Sequence, residues 1–123
     1  MPTLDDQTGH HVPNYIPPRW FEAARRPLWQ QVNALSRSSV QFGIVRHASY
    51  DYQRELFITS EITITTSIKS ISNSSAICHQ EAWQAGQLAI VATVVMTATD
   101  IESRGKATLE DAERQYLQTL IKS

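Results

Sequence analysis

The stretch LAIVATVVMTAT, residues 88–99, decides the fold, because it is the most apolar part of the chain and its side chains alternate with a period of two. Apolar residues hold every even position, namely Leu88, Ile90, Ala92, Val94, Met96 and Ala98. From Val91 onward the odd positions mix valine with threonine. Successive side chains of a strand point to opposite faces. The pattern therefore predicts a central strand with one fully buried face.

Further strands are predicted on the N-terminal side of this stretch. The period of two begins near Val40 and recurs over residues 56–68. In that second region the even positions include Ile58, Ile62, Ile64 and Ile68, whereas the odd positions from Thr59 onward are polar. This is the pattern of a long strand with one face in water. Residues 75–83 are predicted as another strand, and Gln84-Ala85-Gly86-Gln87 predicts the hairpin turn that leads into residues 88–99.

A long helix is predicted before the strands. Its apolar residues recur at intervals of three or four, namely Phe21, Ala24, Leu28, Val32 and Leu35. Pro17 and Pro18 precede them and suit the first turn of a helix, where a missing N–H costs nothing. Arg25 lies off the apolar stripe. Pro27 lies inside the pattern and predicts a kink or two short helices that meet there.

A short second helix closes the chain, and the order of the elements defines the fold class. Thr108-Leu109-Glu110-Asp111 resembles a capping box, which predicts a helix that ends near Leu120. Helices and antiparallel strands segregated in this way make an α+β domain, in which the long helix buries its stripe on the sheet. With 123 residues the chain is predicted to form a single domain over residues 1–123.

Composition excludes several classes of protein. The net charge is −1, whereas a general nucleic-acid binder is usually more basic. Cys78 is the only cysteine, so no intrachain disulfide forms, and we expect a small buried thiol there. No apolar run spans a bilayer and no signal peptide is recognised, so a cytoplasmic protein without membrane contact is expected. The four histidines lack the spacing of metal ligands, so no metal site is expected.

The segment before the long helix is rich in groups that can do chemistry. It reads Asp6-Gln7-Thr8-Gly9-His10-His11-Val12-Pro13-Asn14-Tyr15. A carboxylate beside a helix can act as a base or a nucleophile. The free N–H groups of a helix N-terminus can hold a carbonyl oxygen that gains negative charge. Composition alone favours a simpler interpretation, a capped loop in which Asp6 and Asn14 satisfy backbone groups.

The order of these segments resembles a known family. Asp6-Gln7-Thr8-Gly9-His10 is followed by Arg19-Trp20-Phe21-Glu22-Ala23-Ala24-Arg25, and the last long strand ends in Asp100. Together they resemble the 4-hydroxybenzoyl-CoA thioesterase-like hot-dog proteins over about residues 5–118. The resemblance implies a hot-dog fold, with a long central helix wrapped by an antiparallel β-sheet and a short C-terminal helix. It also implies a homodimer or a dimer of dimers, with the acyl-thioester site between subunits.

The resemblance further implies a hydrolase that cleaves the thioester of an acyl-CoA, or of an acyl carrier protein, to a free acid and a thiol. Asp6 would attack the carbonyl or activate water, and the backbone at Gly9 and His10 would hold the carbonyl oxygen. The implied substrate-binding residues are His11, Asn14, Tyr15 and Glu22. Coenzyme A would enter only as part of the substrate, so no cofactor is expected.

The phosphates of coenzyme A favour arginine and lysine, and the basic candidates are Arg46, Arg54, Lys69, Arg104 and Lys106. The alternative is that these are solvated charges at strand ends. Two other functions stay open. One is a hot-dog dehydratase or hydratase that uses His11 and Glu22, and the other is an acyl-binding dimer without catalytic activity.

Overall fold

The computed structural model describes residues 11–122, which form two helices and four strands. The helices are α1 (Pro17–Leu35) and α2 (Asp111–Gln118). The strands are β1 (Val40–Tyr52), β2 (Ile62–Ile71), β3 (Ser75–Gln84) and β4 (Gln87–Asp100). They pair antiparallel in the order β1-β4-β3-β2, so β4 has a neighbour on each side. The α+β prediction, the central position of residues 88–99 and the turn after Gln84 are all confirmed.

The long helix runs unbroken through Pro27, so the prediction of two short helices is wrong. Pro27 faces solvent, as does Ala23, whose carbonyl loses the N–H that a proline cannot donate. Water can hydrate that carbonyl on the exposed side of a helix. Pro17 and Pro18 occupy the first positions of α1, as predicted.

Strand β2 begins at Ile62, four residues later than the isoleucine pattern that starts at Ile58. Ile58 lies in a turn and is 55% exposed. The pairing of β2 with β3 ends at Ile62 opposite Gln84, which is the last residue of β3. Residues before Ile62 have no β3 partner, so alternation in the sequence does not make them part of this strand.

The capping box of α2 also differs from the predicted one. Glu110 is the N-cap and Glu113 reaches back to its backbone N–H, so the box lies two residues later than Thr108 and Asp111. Both members of the observed pair are glutamates, and the Glu110 carboxylate takes the place of the usual hydroxyl. The helix ends at Gln118, close to the predicted end.

The core between α1 and the sheet has two apolar clusters with a polar layer between them. Phe21 and Ala92 belong to one cluster, and Leu28 and Val94 belong to the other. Burial of each large apolar side chain contributes about 1.5–3 kcal/mol as an upper estimate. Arg25, which the sequence pattern leaves off the stripe, is only 5% exposed and lies in the layer between. A buried guanidinium needs polar partners, so this layer requires its own network.

Gln80 supplies that network from the middle of β3. Its Oε1 accepts a hydrogen bond from Arg25 Nη1 at 2.9 Å. Its Nε2 donates to the Phe21 carbonyl at 2.9 Å and to the Thr66 hydroxyl at 3.0 Å. Both ends of the amide are therefore engaged, which joins α1 to β3 and β2 in a defined register.

Cys78 lies beside this layer and is fully buried, as predicted. Burial raises the pKa of the Cys78 thiol to about 11, against a smaller opposing effect of the Arg25 charge. The thiolate is the reactive form of cysteine, so Cys78 is a packing residue.

Candidate active site

A cleft of about 220 Å³ opens beside the N-terminus of α1. Apolar side chains of Val12, Leu56 and Ile90 are buried at its base. The other lining residues are Asn14, Pro17, Tyr52, Gln53, Arg54 and Glu55. The cleft thus combines a small apolar floor with charged and hydrogen-bonding groups, which is the composition of a site for an amphipathic ligand.

The N-terminal segment, residues 11–14, is held against one wall of this cleft, formed by residues 52–57. Val12 N–H donates to the Leu56 carbonyl at 2.8 Å, and His11 pairs with Phe57 as an isolated antiparallel bridge. The Tyr52 hydroxyl donates to the Asn14 carbonyl at 2.8 Å. These contacts hold residues 11–14 against residues 52–57, which are the last residue of β1 and the five residues that follow it.

The wall is itself attached to the β3–β4 hairpin. The N–H groups of Gln53 and Arg54 both donate to the Ala89 carbonyl, at 2.8 and 3.1 Å. The Gln84 side chain binds the backbone of Phe57 through both of its polar atoms. Through this wall, the position of residues 11–14 depends on Gln84 and Ala89, which are at least 70 positions away in the sequence.

His11 lies between an aromatic ring and a carboxylate. Its ring packs on Phe57 with centroids 4.7 Å apart. Its Nδ1 is 3.0 Å from Glu55 Oε1, within ion-pair range but without the alignment of a hydrogen bond. Within residues 11–122, this shielded Nδ1 has no hydrogen-bond partner. The Glu55 side chain is 71% exposed, so water screens the pair and its contribution to stability is small.

Tyr52 provides a neutral hydrogen-bond donor at the cleft. Partial burial and the neighbouring Tyr50 raise the pKa of Tyr52 above its usual value. The hydroxyl therefore stays protonated at neutral pH and can donate to the Asn14 carbonyl. The rings of Tyr50 and Phe21 pack 5.8 Å apart, which continues the aromatic contact from β1 to α1.

Comparison with known proteins identifies the family. A sequence model described as the thioesterase-like superfamily matches residues 4–117. This chain belongs to the thioesterase-like superfamily. The match includes both the N-terminal segment and the cleft, so the superfamily resemblance extends over the whole candidate site. A search of curated proteins found no match.

Solved structures of thioesterases share the fold of this superfamily member. A predicted thioesterase from Bacillus stearothermophilus has a TM-score of 0.84 at 20% identity, with 100% of this chain and 92% of that chain covered. A thioesterase complexed with coenzyme A and Zn, from Thermus thermophilus, has a TM-score of 0.74 at 22% identity, with 95% and 85% covered.

A DHNA-CoA thioesterase from Staphylococcus aureus has a TM-score of 0.74 at 14% identity, with 98% of this chain and 87% of that chain covered. At these identities the likeness shows the fold. The hot-dog prediction is therefore confirmed.

The structure brings some of the predicted site residues to the cleft and leaves others away from it. Asp6, Gly9 and His10 lie outside the described residues, directly before His11 in the sequence. Asn14 lines the cleft. Tyr15 is 70% exposed, and Glu22 faces solvent on α1; neither lines the cleft. The carboxylate beside His11 is Glu55 rather than the Glu22 of the predicted dehydratase pair.

The five basic candidates lie in different parts of the structure, and Arg104 and Lys106 are exposed in the segment after β4. Arg54 lines the cleft. Arg46 lies on β1 and Lys69 on β2, which form opposite edges of the four-stranded sheet. At the usual strand spacing these edges are roughly 14 Å apart. Lys69 instead lines a second depression with His79, Glu81 and Lys122. Only Arg54 is therefore grouped with the cleft in this chain.

Sequence reasoning missed Tyr52, Glu55 and Gln84 as parts of the site. Tyr52 ends a strand, and Glu55 lies in the stretch that follows it. Gln84 falls in a predicted hairpin turn, where a polar residue needs no further explanation. No local pattern indicates that Tyr52 and Glu55 reach the N-terminal segment or that Gln84 reaches Phe57.

Residues 11–122 contain no helix long and apolar enough to cross a membrane. Within the same range, no three His, Cys, Asp or Glu side chains are grouped as a metal site would require.

Proposed function

We propose that this protein is a hydrolase that cleaves the thioester of an acyl-CoA or an acyl carrier protein. The observation that carries the proposal is the superfamily match over residues 4–117, which includes the predicted acid Asp6 and the cleft-lining segment that follows it. The coenzyme A bound to the similar Thermus thermophilus thioesterase supports a substrate of the CoA type.

In this proposal Asp6 supplies the reactive carboxylate. It removes a proton from water as the water oxygen attacks the thioester carbonyl carbon, or it attacks that carbon itself. The C–S bond then breaks, and the leaving thiolate takes up a proton. In the direct-attack route, water afterwards hydrolyses the acyl–Asp6 anhydride. Backbone N–H groups at Gly9 and His10 would hold the carbonyl oxygen while it carries negative charge.

The cleft would receive the end of the substrate that joins the acyl group to its carrier. Its apolar floor suits a thioester-linked chain, and its charged rim suits the polar carrier. Asn14 and Arg54 stand on that rim. We assign Arg54 to the phosphates of coenzyme A, because arginine binds phosphate oxygens through two parallel N–H groups. His11 would orient the N-terminal segment or water at the mouth of the cleft.

We also propose that the active form is a homodimer joined through β1. This strand is an edge of the sheet, and among the described residues no other strand pairs with its outer side. The Asn33 amide binds the backbone N–H and C=O of Phe42 near the start of the strand. It exposes Ile44 and Val45, which are 43% and 45% accessible. An exposed apolar edge strand favours pairing with another strand. Light scattering tests this assembly, and a monodisperse monomer would contradict it.

The experiment that tests the function is a thiol-release screen over short, long and aromatic acyl-CoAs. Asp6→Asn keeps the size of the side chain and removes its charge, and Asp5→Asn makes the same change one position earlier. We expect wild type to release thiol and Asp6→Asn to lower turnover on the order of 10²-fold. Asp5→Asn should stay close to wild type.

Each alternative gives a different result in the same experiment. Equal rates for wild type and Asp6→Asn would remove Asp6 from the mechanism. Hydration of enoyl-CoA without thiol release would indicate the dehydratase. Acyl-CoA binding without either reaction would indicate a non-catalytic acyl-binding protein.

A further inference from the structure

The Gln84 side chain occupies the place of a missing strand beside Phe57. In an extended segment, successive residues direct their backbone N–H and C=O groups to alternate sides. The Leu56 carbonyl faces the N-terminal segment and accepts the Val12 N–H at 2.8 Å. The polar groups of Phe57 therefore face the other way, towards the end of β3.

The Gln84 amide satisfies both of these backbone groups. Its Oε1 accepts the Phe57 N–H at 3.0 Å, and its Nε2 donates to the Phe57 carbonyl at 2.6 Å. The same Nε2 donates to the Ser60 carbonyl at 3.0 Å. One side chain thus reproduces the pairing that a neighbouring strand would make, and it also holds the turn that follows.

Gln84 is well placed to fix this segment because its own backbone is constrained. It ends β3 and pairs with Gln87 across a two-residue turn. Ala85 and Gly86 both have positive φ, 54° and 73°, as the tightest hairpin turns require. The amide therefore projects from a residue whose backbone is held in the β3–β4 hairpin, next to its turn.

We propose that Gln84 is a positioning residue for the thioester hydrolysis proposed above. It holds Phe57, which lies opposite His11 in an antiparallel bridge and packs against its ring. His11 directly follows the predicted catalytic residues 6–10 in the sequence. Gln84 thereby sets where the chain leaves those residues and enters the cleft, although it does not line the cleft itself.

Gln84→Glu tests this role with a change of a single atom type. The variant places a carboxylate oxygen where the amide NH₂ stood, facing the carbonyls of Phe57 and Ser60. Oxygen then meets oxygen, and both hydrogen bonds are lost. Gln84→Met removes the polar contacts without adding charge, and so covers the case in which the glutamate does not fold. Gln87→Glu is the matched control, because Gln87 is exposed and is the hairpin partner of Gln84.

Amide hydrogen exchange and steady-state kinetics are measured on all variants. In Gln84→Glu and Gln84→Met we expect the Val12 amide to exchange about tenfold faster or more, whereas amides of central β4 stay protected. We expect kcat to fall on the order of tenfold to a hundredfold with KM nearly unchanged, the effect of a displaced reacting group. Gln87→Glu should match wild type in both measurements.

Three results would overturn the proposal. Unchanged exchange at Val12 would show that Gln84 does not hold the segment. Faster exchange throughout the sheet would show a structural role only. Faster exchange at Val12 with unchanged kcat would show that the position of this segment does not affect catalysis. If wild type releases no thiol from any acyl-CoA, the proposed function fails, and exchange at Val12 alone decides whether Gln84 anchors the segment.

Discussion

Replacing Gly43 with alanine tests how β1 is seated on the long helix. Gly43 lies at an irregularity in β1 between Phe42 and Ile44, and its φ is +111°. A Cβ added there would lie 3.0 Å from both Cβ and Cγ of Trp29 on α1. The position therefore combines a backbone conformation that alanine rarely adopts with a close approach to a bulky side chain.

Two costs add in the Gly43→Ala variant. A positive φ in a residue with a Cβ costs about 1–2 kcal/mol. Forcing an extra methyl group into a packed contact costs about 1–3 kcal/mol. We therefore expect the free energy of unfolding to fall by about 2–5 kcal/mol, a large part of the 5–15 kcal/mol typical of a domain.

Gly86→Ala separates the two costs. Gly86 also has positive φ, +73°, but no atom lies within 4 Å of an added Cβ. Only the backbone cost of about 1–2 kcal/mol applies there. Urea unfolding compares wild type and both variants. All are measured at one protein concentration, because the proposed dimer would make stability depend on concentration.

The Trp29 contact accounts for the expected difference between the two variants. Equal losses in Gly43→Ala and Gly86→Ala would refute it. In a Trp29→Leu background, the excess cost of Gly43→Ala should shrink, because the smaller side chain leaves room for the methyl group.

Two further predictions concern charge. The hydrogen bond from His79, assisted by Trp83, holds the pKa of Glu81 below its usual value, although burial opposes the shift. Glu81 therefore stabilises the folded state at neutral pH, and this contribution is lost as the pH falls through the folded-state pKa. As the pH falls, the urea midpoint of Glu81→Gln should decrease less steeply than that of wild type. Midpoints that decrease in parallel with pH would contradict this. Arg54→Gln should raise KM for acyl-CoA several-fold at low salt, where charges are screened least, while kcat changes little. An unchanged KM would remove Arg54 from phosphate binding. Arg26→Gln, at an exposed position of α1 that does not line the cleft, is the matched control for loss of charge.

The secondary structure was largely predictable because most elements bury one face, although most of β1 is exposed. A strand buried on one side alternates with a period of two, and a helix buried on one side repeats near 3.6, whatever lies opposite. Residues 88–99 and the stripe from Phe21 to Val32 carry these periods in full. The errors occurred where the period continues without a partner, as at Ile58, or where a buried residue is polar, as at Arg25.

The candidate site was predictable only as a list of residue types. The resemblance that names Asp6 also identifies the segment in which Asn14 lies, and Asn14 lines the cleft. Arg46, Arg54 and Lys69 were equivalent in the sequence, because a basic residue at a strand end looks the same on any strand. The sheet order β1-β4-β3-β2 places Lys69 on the opposite edge from β1, and of the three only Arg54, just after the end of β1, lines the cleft.

By itself, the sequence determined the α+β class, the central strand, the long helix and the likeness to hot-dog thioesterases. Those properties depend on periodicity and on the order of short motifs, which are written along the chain. Only the tertiary structure decided that Glu55 meets His11 and that Gln84 holds Phe57. Such contacts depend on the path of the chain between residues far apart in sequence, and a polar side chain carries no local signal of the partner it will reach.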